Sequence, residues 1–342
     1  MRCLLIASFV FLFFKNYSQC CASGCCSPGT ANFGVLEKGH LLAFSFYKHN
    51  YSDQFYKGDA LNDLKYYRNI SFDYSGINLS YGITSRITIQ GDIGYFINKT
   101  QNYYPIGGYQ IPSLVGNGWG DVGLYLKMNV YNSGLMNITL GAGGKVPTGQ
   151  FNQYINGVRL PIEVQSGTGA YAATFLLNGM IKPFQNKTRV FNINSRLDFN
   201  GISPLGYQFG VASTNTLAYT FTIYKRLVFL AMVRNEIKDC DYTYNVVNLN
   251  PDPEARYALF NSSNYSSRTH QVNTGSIRFF ASPGMAWGFG KDWTLAAYGD
   301  IPIYQYYNGL QYGAKYAVSL SVSKMFELHK HGALEENGKK PN

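Results

Sequence analysis

The feature that most constrains the fold of this chain is a repeated, strand-length segment in which apolar and polar residues alternate. In segment 120–130, Leu124 and Leu126 belong to one row, and Tyr125 and Lys127 belong to the other. A period of two gives a β-strand one apolar and one polar face. Twelve such segments are present, near 35–47, 66–83, 86–97, 120–130, 135–146, 168–181, 188–200, 211–224, 226–237, 271–289, 292–303 and 311–326.

The connections between these segments alternate in length. After the second segment, every other connection is tight, as in 83–86 and 290–292, whereas most of the others are long, including 98–119, 147–167 and 238–270. All long loops therefore lie at one end, as in outer-membrane barrels with short periplasmic turns and long extracellular loops. The predicted fold is all-β: a transmembrane antiparallel up-and-down β-barrel of about 12 strands.

The composition distinguishes this barrel from other classes of protein. Charged residues make up 14% of the chain, against roughly 25% in soluble domains, and aromatic residues make up 16%. Disordered and long-helix proteins have the opposite bias. A soluble β-sandwich or propeller shares the period of two, but its exposed rows carry more charge. Aromatic residues at strand ends favour the barrel, as in membrane-interface girdles: Tyr47, Tyr51, Phe55, Tyr56, Tyr66, Tyr67, Tyr103, Tyr104, Tyr304, Tyr306 and Tyr307.

The N-terminus has the pattern of an export signal. Arg2 precedes the apolar run 3–14, and the chain then becomes polar. The predicted organisation is a signal peptide at 1–19, a Cys-rich segment at 20–33, the barrel at 34–326 and a polar periplasmic tail at 327–342. A lipoprotein signal near Cys25 is a weaker alternative. The predicted location is the cell outer membrane.

A cluster of cysteines follows the predicted signal, and in an exported protein such cysteines can form disulfides. Cys20, Cys21, Cys25 and Cys26 lie within seven residues. Four thiolates in one short segment could hold a soft ion such as Cu(I) or Zn(II). Disulfides in a tether before the first strand are the favoured alternative. No cofactor is predicted.

The phase of the strands assigns a set of charged side chains to the barrel lumen. This set holds seven cations and five carboxylates, so it is nearly balanced: Arg86, Lys127, Lys145, Arg196, Arg234, Arg278 and Lys315, with Asp92, Asp121, Asp198, Glu236 and Asp300. Ion pairs that brace the wall are the favoured role, and a polar constriction for transport is the alternative. A lumen of twelve strands could hold a narrow pore or a packed plug.

The sequence contains no enzyme motif, and the protein is predicted not to be an enzyme. Among the five histidines, only His49 and His270 reach the loop end, and the sequence suggests no Ser/His/Asp grouping around either. The net charge of +10 comes from scattered residues. Nucleic-acid binding is therefore not predicted.

Three stretches resemble a known group of barrels. They are 118–122, 140–149 with its Pro-Thr-Gly turn, and 302–311 before the last strand. They are similar to the outer-membrane "transporter" barrels named for the MetA pathway of phenol degradation, which are related to fatty-acid channels. The resemblance covers about 76–326 and implies a Bacteroidetes-like Gram-negative host and passage of small hydrophobic or aromatic compounds. The cysteine cluster and the sixteen residues after Phe326 depart from that pattern.

The predicted function is a channel or transporter for small hydrophobic or aromatic solutes, working by passive diffusion. Two alternatives remain: a non-conducting structural or interaction barrel whose long loops, especially 238–270, bind a partner, and soft-metal binding at the cysteine cluster. The expected partners are a small-molecule solute, outer-membrane lipid and lipopolysaccharide, and the barrel-assembly machinery during biogenesis.

Overall fold

The protein was analysed as a computed structural model that describes the following ranges: 34–63, 67–105, 107–155, 157–183, 189–246 and 265–328. The long regular elements of these ranges are all β-strands. Among the described residues, no helix is long and apolar enough to span a membrane. The predicted signal peptide, the Cys20–Cys26 cluster and most of the predicted C-terminal tail lie outside the described residues.

Twelve long strands form the body of the molecule. In chain order they are β1 (His40–Ser52), β2 (Tyr67–Gly82), β3 (Ile87–Tyr103), β4 (Val122–Asn132), β5 (Met136–Val146), β6 (Ala172–Ile181), β7 (Arg189–Asn200), β8 (Ala212–Tyr224), β9 (Leu227–Lys238), β10 (Ser276–Phe289), β11 (Trp293–Tyr312) and β12 (Tyr316–Glu327). Each strand pairs antiparallel with the next, and β12 pairs with β1 from His40↔Glu327 to Tyr51↔Tyr316. The sheet is therefore a closed barrel, and the predicted fold and strand number are confirmed.

Several strands end away from their predicted limits. β1 continues to Ser52 and β3 to Tyr103, five and six residues beyond the predicted ends at 47 and 97. β11 continues to Tyr312, so only residues 313–315 separate it from β12. These extensions form because the strands still pair with neighbouring strands beyond the residues where their apolar–polar alternation ends.

The two faces of the wall differ as the alternation predicts. On β4, Leu124 and Leu126 point outward and are 54% and 52% exposed, whereas Tyr125 and Lys127 point inward and are 2% and 1% exposed. The same apolar outer surface recurs on the other strands, for example at Phe175 on β6. A continuous apolar belt is stable against lipid and costly in water, which places the barrel in a membrane.

The ends of the barrel carry different structures. At the periplasmic end, the segment before β1 turns into the mouth, where the Leu36 amide donates to the Thr88 hydroxyl (2.8 Å) and the Gly39 amide to the Gly82 carbonyl (2.9 Å). At the extracellular end, short hairpins extend the wall and the loops, for example Phe55–Gly58 with Ala60–Asn62. The loop 147–171 turns inward there and buries Val164.

The backbone ladder between β11 and β12 closes only the lower part of their seam. The pairing of β11 with β12 ends at Asp300↔Ala317. Above it, the Gln305 side chain accepts a hydrogen bond from the Ala314 amide (2.6 Å) and donates one to the Ala314 carbonyl (2.9 Å). A side-chain amide thus replaces one backbone rung in the outer part of this seam.

Candidate channel lumen

A first network of charges lines the wall from β3 to β7. Asp198 is 1% exposed and accepts from Lys145 (3.2 Å), from the Arg196 guanidinium (3.0 Å) and from the Thr174 hydroxyl. Arg196 also reaches across two strands and donates to the Tyr125 hydroxyl (2.8 Å). Lys127 and Asp92 lie on the same wall, and these five charged residues are called the Asp198 ladder: Asp92, Lys127, Lys145, Arg196 and Asp198.

A second network lines the wall from β9 to β1. Asp300 is 1% exposed and accepts from Arg234 (2.8 Å), from Lys48 (3.3 Å) and from the Ser282 hydroxyl (2.6 Å). Glu236 pairs with Arg234 (3.3 Å) and with Arg278 (2.6 Å). These five charged residues are called the Asp300 ladder: Lys48, Arg234, Glu236, Arg278 and Asp300.

Small residues on the intervening strands make both ladders possible. Lys48 on β1 reaches Asp300 on β11 over β12, whose inward positions near this level are Ser319 and Ser321. Arg196 on β7 reaches Tyr125 on β4 across β5, where the residue paired with Tyr125 is Gly143 and an added Cβ would come within 2.0 Å of the Leu124 carbonyl oxygen. The strands that the long side chains cross therefore carry only glycine or serine at these inward positions.

Between the two ladders, β1, β2 and β3 carry a continuous chain of aromatic rings. The ring centroids of Phe72 and Phe96 are 6.1 Å apart, those of Phe96 and Tyr74 4.6 Å, those of Tyr74 and Phe46 5.6 Å, and those of Phe46 and Phe44 5.9 Å. All five side chains are buried. We call this cluster the aromatic column; it runs from the extracellular half of the lumen toward the periplasmic half.

The upper end of the aromatic column opens into a cavity of about 450 Å³ at the extracellular mouth. Phe72 belongs to both, and the cavity is also lined by the rings of Phe55, Tyr67 and Tyr312, with centroids 4.4–5.6 Å apart. The volume lies within the range of small-molecule sites. Aromatic rings line part of this cavity beside polar, charged and aliphatic side chains, and its size fits a single small ring compound.

Three charged side chains also line this outer cavity: Lys99, Arg278 and Glu163. Lys99 donates to the Gln165 carbonyl (2.7 Å) and lies over the Phe96 ring (4.5 Å to its centroid). It therefore connects the inward loop 147–171 to the top of the aromatic column.

Asp121 fixes the same loop from the other side. Its carboxylate accepts from the Thr168 hydroxyl (2.6 Å), the Thr168 amide (3.1 Å) and the Gly149 amide (3.0 Å). Burial nevertheless raises the pKa of Asp121 above its ordinary value, because desolvation outweighs these hydrogen bonds and the charge of Lys145. Asp121 thus anchors the loop at a position just outside β4.

The structure places most of the sequence-derived lumen set on one of the two ladders. Three residues lie elsewhere. Arg86 is exposed in the turn before β3, because that strand begins one residue later. Lys315 is 42% exposed in the connection before β12 and pairs with Asp53 (2.8 Å), since β11 and β12 do not pair at this level. Asp121 ties down a loop rather than joining a ladder.

Sequence analysis missed Lys48 and Lys99, which are both 4% exposed on the inner wall. The predicted strands ended one and two residues before them, and an extended alternation through Lys48 and Asn50 was the available signal. A histidine–carboxylate pair was also missed: His49 and Asp73 meet on the outer face of β1 and β2 (2.8 Å). No group of three or more potential metal ligands occurs among the described residues.

Known proteins resemble this chain in structure rather than in sequence. The sequence matches no protein-family model, and no curated protein gives a match. An outer-membrane channel from Pseudomonas putida F1 has a similar structure (TM-score 0.63) at 10% identity, over 88% of this chain and 99% of the other.

More distant similarities, at 9% and 10% identity, are to a FadL homologue from Pseudomonas aeruginosa (TM-score 0.42; 92% of this chain, 100% of the other) and to the P. putida toluene transporter TodX (TM-score 0.43; 86% and 92%). The closed twelve-strand barrel, its apolar belt and the similarity of fold lead to one conclusion: this chain is a porin-like β-barrel protein of the outer membrane.

Proposed function

We propose that the protein is a channel through which small hydrophobic or aromatic solutes cross the outer membrane by passive diffusion. The observation that carries the proposal is the continuity between the outer cavity and the aromatic column through Phe72. A ring compound that moves inward from the cavity meets these buried rings rather than a purely polar surrounding, and it passes when the rings move aside. The similar Pseudomonas putida protein is an outer-membrane channel, which supports this role.

The ladders have a matching role in the proposal. Their charges are paired along the wall, so they brace the barrel without filling the aromatic column. The loop 147–171, held by Lys99 and Asp121, narrows the outer mouth. Passage then requires local movement of this loop and of the buried rings of the aromatic column.

The finer assignments are proposals as well. The three sequence stretches that resemble the MetA-pathway barrels support membership of that group and a Bacteroidetes-like host. We also propose the signal peptide at 1–19, the Cys-rich segment at 20–33 with disulfides rather than a soft metal, the tail at 327–342, and contacts with lipopolysaccharide and the assembly machinery.

Conductance of the refolded protein in planar bilayers tests the channel. We expect ion current that a neutral aromatic solute such as benzyl alcohol reduces by occupying the aromatic column. Phe72→Ala should weaken this block several-fold. Phe175→Ala, which removes a ring from the outer face of β6, serves as the matched control and should leave the block unchanged.

A barrel that folds but carries no current and no solute would contradict the channel. That result would favour the alternative function, a surface barrel that binds a partner through its loops. Heat-modifiable migration on gels confirms the folded state in each case.

A further inference from the structure

The outer face of the barrel carries a groove at its periplasmic end. The groove has a volume of about 480 Å³, and its apolar lining comes from Tyr224, Leu227 and Trp287, where β8, β9 and β10 meet. Tyr224 is 64% exposed and Trp287 is 53% exposed. Aromatic side chains at this level of a barrel lie at the boundary between the acyl chains and the headgroups of the membrane. The groove therefore faces lipid.

Two cations form the periplasmic rim of this groove. Lys225 and Arg226 make the tight turn between β8 and β9, and both line the groove. The Lys225 ammonium lies 5.0 Å from the centroid of the Tyr224 ring. The Arg226 guanidinium donates to the Gly290 carbonyl (3.0 Å), which ties this turn to the next periplasmic turn, 290–292. Because an arginine has five N–H donors, this bond fixes the guanidinium and leaves it donors for a ligand.

The second turn adds another cation, Lys291. Asp292 is the only carboxylate in the two turns, and all four charged side chains are exposed. The ion pairs between described residues include none of the three cations Lys225, Arg226 and Lys291. A compact cationic patch thus borders the apolar groove on its aqueous side.

A ligand that fits this arrangement has an apolar part for the groove and an anionic group for its rim. Arginine binds phosphate oxygens through parallel N–H bonds, and each basic residue near a membrane surface favours anionic lipid. An anionic phospholipid presents its acyl chains and its phosphate in this order along the membrane normal. A zwitterionic phospholipid also carries an ammonium group, which weakens its attraction to Lys225 and Arg226.

We propose that the groove is a binding site for an anionic phospholipid of the periplasmic leaflet, of the phosphatidylglycerol type, in preference to zwitterionic phospholipids. The site lies on the outer face of the wall and does not depend on the proposed channel function. A barrel that carries no current can still bind lipid here.

Quenching of Trp287 fluorescence by lipids with brominated acyl chains tests the site. The chain has three tryptophans, so Trp119→Phe and Trp293→Phe together leave Trp287 as the reporter. The folded barrel is placed in phosphatidylcholine vesicles that contain a small fraction of brominated phosphatidylglycerol or of brominated phosphatidylethanolamine. We expect the association constant at Trp287 to be about tenfold higher for phosphatidylglycerol.

Two substitutions in the reporter chain remove the cations of the rim. Lys225→Asn and Arg226→Gln should each reduce the preference about twofold or more, and together they should bring it near one. Asparagine suits the first position because Lys225 has a φ of 43°. Arg86→Gln is the matched control. Arg86 is exposed in the periplasmic turn between β2 and β3, away from the groove, and its loss should leave the preference unchanged.

Equal quenching by the two brominated lipids in the reporter chain overturns the proposal. A preference that survives in the folded Lys225→Asn/Arg226→Gln chain also overturns it, since the cations of the rim would then not select the lipid. Heat-modifiable gel migration confirms that each variant is folded. Loss of current in planar bilayers contradicts only the channel and leaves the lipid site standing.

Discussion

The two ladders both bury a carboxylate between cations on the inner wall, but they differ in the residues around it. In each, a carboxylate that is 1% exposed accepts from two cations and one hydroxyl group. The Asp198 ladder spans glycine-bearing β5 and ends on the hydroxyl of Tyr125, whereas the Asp300 ladder spans serine-bearing β12 and lies against the Phe280 ring, 4.7 Å from Arg234. The comparison teaches that the buried carboxylate is the essential part, while the spacer and the aromatic partner can vary.

The largest expected effect comes from the two carboxylates. Asp198→Asn and Asp300→Asn each remove the buried carboxylate that two cations share, and each should lower the free energy of unfolding by about 3–5 kcal/mol. Urea unfolding in lipid vesicles, followed by gel mobility, measures both. If one variant lost less than about 1 kcal/mol, the two ladders would not be equivalent.

Substitutions on β5 and β12, the two strands that the ladders span, should have opposite effects on the free energy of unfolding. Gly143→Ala places a Cβ 2.0 Å from the Leu124 carbonyl oxygen, so the backbone must shift at a cost of about 1–3 kcal/mol. Ser319→Ala should be neutral or stabilising, because the buried Ser319 hydroxyl has no hydrogen-bond partner among the described residues. Equal losses for both variants, in the same unfolding assay, would show that the spacers are interchangeable.

Substitution of the aromatic residue beside the Asp198 ladder should change the free energy of unfolding by a smaller amount. Tyr125→Phe removes the hydroxyl that accepts from Arg196 but keeps the ring, which lies 5.1 Å from the guanidinium carbon. We expect a loss of about 1–2 kcal/mol, which would bring this ladder closer to the Asp300 ladder with its phenylalanine. A variant as stable as the original chain would show that the hydroxyl adds nothing.

The smallest effect concerns the anchor above the Asp198 ladder. Because burial raises the pKa of Asp121, the folded chain holds this proton more tightly than the unfolded chain. Its contribution to stability is complete below the unfolded pKa and is lost as the pH rises through the raised value. Asp121→Asn should therefore flatten the stability profile between about pH 4 and neutrality. Parallel profiles for the two proteins would contradict this assignment.

The sequence was informative about strands and uninformative about partners. A period of two assigns Tyr125 and Lys127 to the lumen face, because a strand has only two faces. It does not reveal that Lys48 on the first strand meets Asp300 on the eleventh, since that contact depends on closure of the barrel and on the serines between them. Positions near strand ends, such as Arg86, Lys99 and Lys315, depend on where a ladder stops, which alternation alone does not determine.

The hydrogen bonds between the Gln305 side chain and Ala314 determine how easily β11 separates from the segment before β12. Between long strands that pair along a ladder, separation requires the ladder to unzip, whereas just above Asp300 the contact of β11 with Ala314 depends on hydrogen bonds to the side chains of Gln305 and Tyr307. Sub-global openings of low free energy begin at such places. Amide hydrogen exchange on β11 above Asp300 should therefore be faster than below it, and Gln305→Glu, which removes the donor to the Ala314 carbonyl, should widen that contrast.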